Sequence, residues 1–178
     1  MSDPELPTRA EVIRLLVKVG CSPNVIDHCK IVSRFTVKIT QAFQEKGFKV
    51  NMHLVEVGGL LHDIGRSDAH SVDHGVVGGE IASSLGLPRS VVRIIERHVG
   101  GGVPKQEAKQ LGWQPRDYLP KTLEEKIVCY ADKRVEGLRT VSIHHALKTY
   151  AANLGANHPA LDRIKKLHEE ITAIVGNQ

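Results

Sequence analysis

From Val25 the apolar residues Cys29, Val32, Phe35, Ile39 and Phe43 follow at three- and four-residue steps until Gly47, a period that only an α-helix gathers onto one side. The same spacing recurs along the chain. Thr8-Arg9-Ala10-Glu11 has the capping-box pattern ahead of Val12, Leu15, Leu16 and Val19. Asn51 is placed to cap a helix through Leu54, Val57 and Leu61 that ends near Gly65, and another is expected from about Val72 to Leu85. Pro88 stands where a first-turn proline would start a helix over Arg89 to His98. Leu123 to Val135, Ser142 to Asn153 and Pro159 to Val175 read as three more. Between these groups Gly100 to Pro120 is dense in glycine and proline, which predicts a long irregular excursion or one with only a short helix. No stretch keeps the two-residue alternation of a strand. The fold class is therefore all-α, and 178 residues suit a single domain, 1–178.

Hydrophobic residues at 41% and charged residues at 25% match a globular protein and exclude intrinsic disorder. No apolar run approaches the ~20 residues of a membrane span. Met1 to Arg9 carries acidic residues and two prolines where a leader would be basic and then apolar, so a cytoplasmic location is expected. Cys21, Cys29 and Cys129 cannot all pair with one another and are expected as free thiols. A net charge of +4 favours anionic partners, but three Phe, three Tyr and one Trp give little with which to stack bases. The unusual count is ten histidines.

Their placement on the predicted helices carries the chemistry. His28 lies three residues after Val25 and four before Val32, on the inward stripe of its helix. His98 follows Ile94 by four and Ile95 by three, His74 precedes Val77 by three, and Asp132 follows Val128 by four. His62 and Asp63 are adjacent at the end of their helix, where both can reach one point beside it. Any one inward histidine is more often a hydrogen-bonded core residue than a ligand, and a single inward Asp is more often an ion-pair partner. Burying this many ionisable groups from separate helices is costly unless they are paired or metal-bound, and imidazole with carboxylate is the ligand set of Zn, Fe, Mn and Ni. A shared metal is the economical explanation.

His28, then His62-Asp63 within Leu60-Leu61-His62-Asp63-Ile64-Gly65-Arg66, then Asp132 within Cys129-Tyr130-Ala131-Asp132-Lys133, resembles the HD-domain phosphohydrolase superfamily in its HDIG-type form. The resemblance spans roughly His28 to Val135, most of the chain. It implies an HD-type helical bundle with a core of about 22–136, the helices of about 142–175 packed on it, and a divalent cation held by His28, His62, Asp63 and Asp132. His74 and His98 match positions where many members carry further histidines, for a second cation or substrate phosphate. The order of residues is most similar to bacterial members that split dinucleoside tetraphosphates symmetrically. The chain departs from them after His98, in Val99-Gly100-Gly101-Gly102 and the excursion to Pro120.

The function this implies is a metal-dependent phosphohydrolase that cleaves a phosphate ester or anhydride of a nucleotide or related small molecule through a metal-bound water. One or two divalent ions are expected, Fe, Mn, Ni, Zn or Mg, with Asp63 as the natural bridge of a pair. Asp63, Arg66 and Lys133 are the candidate catalytic residues. Arg66, four residues after His62, and Lys133, beside Asp132, are placed to grip phosphate, and Gly100 and Gly101 to offer backbone N–H groups to an anion or else to end the helix as a flexible lip. A solvated surface charge is the competing role for both cations. His70 is a surface or supporting residue, His53, His144, His145, His158 and His168 are structural, and Cys29 and Cys129 fill the core. The expected partner is a phosphorylated small molecule rather than a membrane or a nucleic acid, with a homodimer left open. Two alternatives stand beside the enzyme: a metal- and nucleotide-binding regulator with little turnover, and an RNA-binding module.

Overall fold

The computed structural model describes residues 5–178, so the first four residues of the Met1 to Arg9 stretch lie outside it. The predicted caps at Thr8 and Asn51 are in place: Thr8 and Glu11 exchange hydrogen bonds at the start of α1 (Arg9–Lys18) and Asn51 caps α3 (Met52–Leu61), while Ser22 caps α2 (Pro23–Glu45). After these come α4 (His74–Ser84), α5 (Arg89–Arg97), α6 (Lys105–Gln110) and α7 (Leu123–Lys133). A hairpin of two-residue strands, β1 (Val135–Glu136) and β2 (Arg139–Thr140), precedes α8 (Ile143–Leu154) and α9 (Pro159–Val175). The described residues thus form an all-α fold, as the periodicity requires.

Two large apolar clusters fill it, with a small third of Val103, Ala108 and Tyr118 under the 100–120 excursion. One joins Val32, Ile39 and Phe43 of α2 to Ile127 and Tyr130 of α7 and to Leu167 and Ile171 of α9. The other joins Val12 and Leu16 of α1 to Leu60 and Leu61 of α3 and to Val91 and Ile95 of α5. Helix α3 runs between them. It comes close to α2 because Gly59 has no side chain: a Cβ there would stand 2.8 Å from the Cα of Ser33.

Several boundaries differ from the sequence expectation by a few residues, and those of α4 and α7 have a visible local cause. Helix α3 stops at Leu61, and a 3-10 turn over Ile64–Ser67 follows instead of a continuation to Gly65. Helix α4 begins at His74 and not Val72, because the Ser71 hydroxyl donates to the Asp73 carboxylate and closes a turn before it. Pro88 caps α5 from outside its first turn. Helix α7 ends at Lys133, because Val135 pairs with Thr140 across the hairpin and Arg134 donates to the Val141 carbonyl.

The excursion from Gly100 to Pro120 holds a 3-10 turn at its start and the short α6, and it is pinned in three places. Val103 pairs with Tyr118, Arg116 forms an ion pair with Glu96, and the Trp113 indole donates to Asp73 at 2.7 Å. The last contact ties the excursion to the residue immediately before His74.

Candidate metal centre

Five elements deliver side chains to one place. His28 comes from the middle of α2, His62 from the C-terminal cap of α3, and Asp63 from the residue after it. His74 opens α4, His98 caps the end of α5, and Asp132 lies in the last turn of α7. The break after Leu61 matters here. Asp63 leaves helical geometry at φ −99° and ψ 16°, and its carboxylate stands between two pairs of histidines.

On one side, Asp63 Oδ2 lies 3.6 Å from His62 Nε2 and 3.9 Å from His28 Nε2. Asp132 Oδ1 closes that group at 3.1 Å from His28 Nε2 and 3.2 Å from His62 Nε2. On the other side, Asp63 Oδ1 lies 3.2 Å from His74 Nε2 and 3.5 Å from His98 Nε2. The six residues proposed from sequence are therefore gathered around one carboxylate. His62, Asp63, His74 and His98 are buried, while His28 and Asp132 keep partial exposure to the cavity.

The proton positions follow from the backbone. Nδ1 of His62 donates to the Gly59 carbonyl at 2.9 Å, Nδ1 of His74 to Ser71 at 2.6 Å and Nδ1 of His98 to Ile95 at 2.6 Å. A carbonyl can only accept, so each neutral ring presents a bare lone pair at Nε2. Histidines that ligate metals are oriented by such bonds. The buried Nε2 of His62 has no hydrogen-bond partner. An acceptor facing two carboxylates is stabilised by a proton on the ring or by a cation between the groups, and the donor set of imidazoles and carboxylates suits a divalent cation. His28, His62 and Asp132 form one group that could hold an ion, and His62, Asp63 and His98 another.

The charges around the centre agree. Burial opposes ionisation of Asp63 and Asp132, yet the charge on His62 holds the first well below the usual carboxylate range, and Lys133 with His62 does the same for the second. Burial also disfavours a charged His62, but Asp63, Cys29 and Asp132 outweigh it and raise its pKa. Burial pushes His98 down to about 4.

Several placements correct the sequence expectations. Arg66, expected at phosphate or as a solvated surface charge, donates from Nε to Asp63 Oδ2 at 2.9 Å and from a terminal nitrogen to the His70 carbonyl at 3.4 Å, with its side chain one-third exposed. Lys133 is buried and bound to Asp132 Oδ2, so its first role is to hold that carboxylate. Gly100 lines the cavity, but Gly101 is buried against Arg163 and Ile164 of α9 and is not a lining residue. His70, expected at the surface, is exposed and lines the cavity mouth. His53, His145, His158 and His168 bond to Pro7, Glu136, Ala160 and Tyr130, outside the cluster.

The centre forms the floor of an open cavity of about 760 Å³. Its far walls come from Asn24 and Val25 of α2, Val72, and Tyr150, Asn153 and Leu154 of α8. Sequence reasoning missed the α8 residues. Tyr150 shares no motif with the candidate ligands, and only the tertiary placement of α8 brings it near Lys133.

Among the described residues, no helix is long and apolar enough to cross a membrane. Residues 25–135 match the model of the HD domain family. A protein of Methanocaldococcus jannaschii described as uncharacterised is 46% identical over 90% of this chain and 95% of its own length. The tRNA (cytidine(56)-2'-O)-methyltransferase of Picrophilus torridus is 35% identical over 96% of this chain and 48% of its own length, so the chain spans about half of that relative. The HD domain of the L. monocytogenes phosphodiesterase PgpH, solved in complex with cyclic-di-AMP, superposes with a TM-score of 0.52 over 94% of this chain and 98% of that one. At 16% identity that likeness is one of fold.

Proposed function

The chain belongs to the HD domain family, and on that premise we propose that it is a metal-dependent phosphohydrolase acting on a nucleotide or a related phosphorylated molecule. The observation that carries this is the buried, partnerless Nε2 of His62, which faces two carboxylates at the floor of an open cavity. His28, His62, Asp63 and Asp132 would hold one divalent ion, and His74 and His98 with the second oxygen of Asp63 another. When bound, such an ion supplies Lewis acidity, acidifying water and offsetting charge on phosphorus.

The chain's own groups do the rest. Arg66 fixes one oxygen of Asp63 and lines the cavity, where the guanidinium N–H groups not used by Asp63 and His70 suit a phosphate oxygen. Lys133 neutralises Asp132 and fixes its orientation. The backbone carbonyls of Gly59, Ser71 and Ile95 keep three imidazoles in the tautomer that presents Nε2. Val25, Val72 and Leu154 give the cavity wall apolar surface.

The test is phosphate release by protein purified without chelator, with its metal content measured, on nucleoside mono-, di- and triphosphates, a cyclic dinucleotide and a dinucleoside tetraphosphate. Turnover that a chelator abolishes and a divalent ion restores supports the proposal. Stoichiometric metal and nucleotide binding without turnover on any substrate supports the regulatory alternative. An RNA-linked role is a second reading, favoured by the match of nearly the whole chain to half of a tRNA methyltransferase. Salt-dependent retention of tRNA by the purified protein, absent for a free nucleotide, would favour it.

A further inference from the structure

A second pocket, of about 210 Å³, lies between the β1–β2 hairpin and α8, and it meets the main cavity at Lys133, Val135, Tyr150 and Asn153. The junction adjoins the metal centre directly, because Lys133 is bound to Asp132. A substrate with its phosphate at the floor of the cavity therefore has this pocket beside its other end.

The lining narrows the chemistry. Val141 and Ala146 give apolar walls, Thr149 a hydroxyl and Asn153 an amide, while the Glu136 and His145 side chains pair at 2.5 Å on the exposed side. The Tyr150 ring stands between the pockets, with the Lys133 ammonium 5.8 Å from its centroid. A fatty chain would set the Thr149 hydroxyl and the Asn153 amide against hydrocarbon. A second phosphate would find its nearest ammonium, Lys133, already committed to Asp132. A flat heterocycle with a hydrogen-bonding edge satisfies an aromatic face, small apolar walls and an amide together.

We infer that this side pocket is a nucleobase subsite, with Tyr150 as its stacking face and Thr149 and Asn153 as its edge contacts. A nucleoside phosphate then lies with its phosphate at the histidine cluster and its base between the hairpin and α8. The inference rests on the phosphohydrolase proposal for what occupies the other end. The subsite itself binds a nucleotide whether or not turnover follows.

The full chain is titrated calorimetrically with the four common nucleoside 5′-monophosphates and with ribose 5-phosphate, which lacks only the base. Wild type should bind at least one nucleotide more tightly than ribose 5-phosphate. Tyr150→Leu should lower that preference by roughly ten-fold, the scale of a lost base–aromatic stack, and Tyr150→Phe should restore most of it. Asn153→Ala, on an exposed position, repeats the test should the Tyr150 variants fold poorly. Equal affinity of wild type for ribose 5-phosphate and every nucleotide overturns the subsite. So does an unchanged preference in Tyr150→Leu and Asn153→Ala, or a loss in Tyr150→Leu that falls on both ligands alike. Failure of the phosphohydrolase proposal is separate, since it shows as no phosphate release from any substrate while the binding preference persists.

Discussion

The Nε2 atoms of His74 and His98 stand 3.1 Å apart and both face Asp63 Oδ1, although each ring already gives its Nδ1 proton to a backbone carbonyl. Two lone pairs and a carboxylate oxygen at this spacing repel unless a cation lies among them. Across the same carboxylate, Oδ2 faces His28 and His62. Protein purified without chelator is expected to carry two divalent ions per chain, and His98→Ala one. Elemental analysis decides, and a single ion in both proteins would assign His74 and His98 to substrate instead.

Asp63→Ala should lose all bound metal and all phosphate release, because both groups of ligands share this carboxylate. Retained stoichiometric metal and turnover would remove Asp63 from the centre.

The two cations beside the ligand carboxylates should separate in stability. Lys133→Ala takes the buried ammonium from a part-exposed Asp132, which costs about 1–3 kcal/mol and lowers the urea midpoint. Arg66→Ala removes a pair whose arginine is one-third exposed, at a cost of less than ~1 kcal/mol, while kcat/KM falls about ten- to a hundredfold for a lost charge-assisted bond. Equal denaturation midpoints for the two variants would contradict this assignment.

Gly65 explains the glycine that follows Asp63-Ile64. A Cβ there would stand 2.0 Å from the His74 carbonyl oxygen and 2.6 Å from the Gly78 backbone nitrogen, so α4 could not approach. Gly65→Ala should cost ~1–3 kcal/mol or more and displace His74, reducing metal content to one ion. Thermal unfolding and elemental analysis of the same sample check both effects.

In the metal-free protein two histidines oppose each other. Burial holds His98 down to about 4 against its ordinary 6.5, so between those values the unfolded chain takes up a proton that the folded chain refuses, and stability falls as pH falls. Burial works against the charge on His62, but its carboxylate neighbours raise it well above 6.5. Its contribution is therefore complete below 6.5 and is lost as pH rises through the folded value. Chelator-treated protein should be most stable near pH 6.5, and an added divalent ion should abolish the alkaline decline by replacing the proton on His62. Urea midpoints from pH 4 to 9 test this, and a steady rise to pH 9 without metal would refute it.

The sequence determined which side of its own helix each candidate ligand occupies. His28 among Val25, Cys29 and Val32, and His98 after Ile94 and Ile95, had to face inward because burial of the apolar stripe fixes the rotation of the helix that carries them. The caps at Thr8, Ser22 and Asn51 were equally local, since each bonds a backbone N–H three residues on. What lies across from a residue is not local. That Arg66 and Lys133 bind ligand carboxylates, that Gly101 packs under α9, and that Tyr150 meets Lys133 from another helix all depend on the distances and crossing angles of helices far apart in sequence. A three- to four-residue period carries one helix's orientation toward a core, but charge pairing and pocket shape depend on separations of a few ångströms between elements, which only the packed tertiary structure sets.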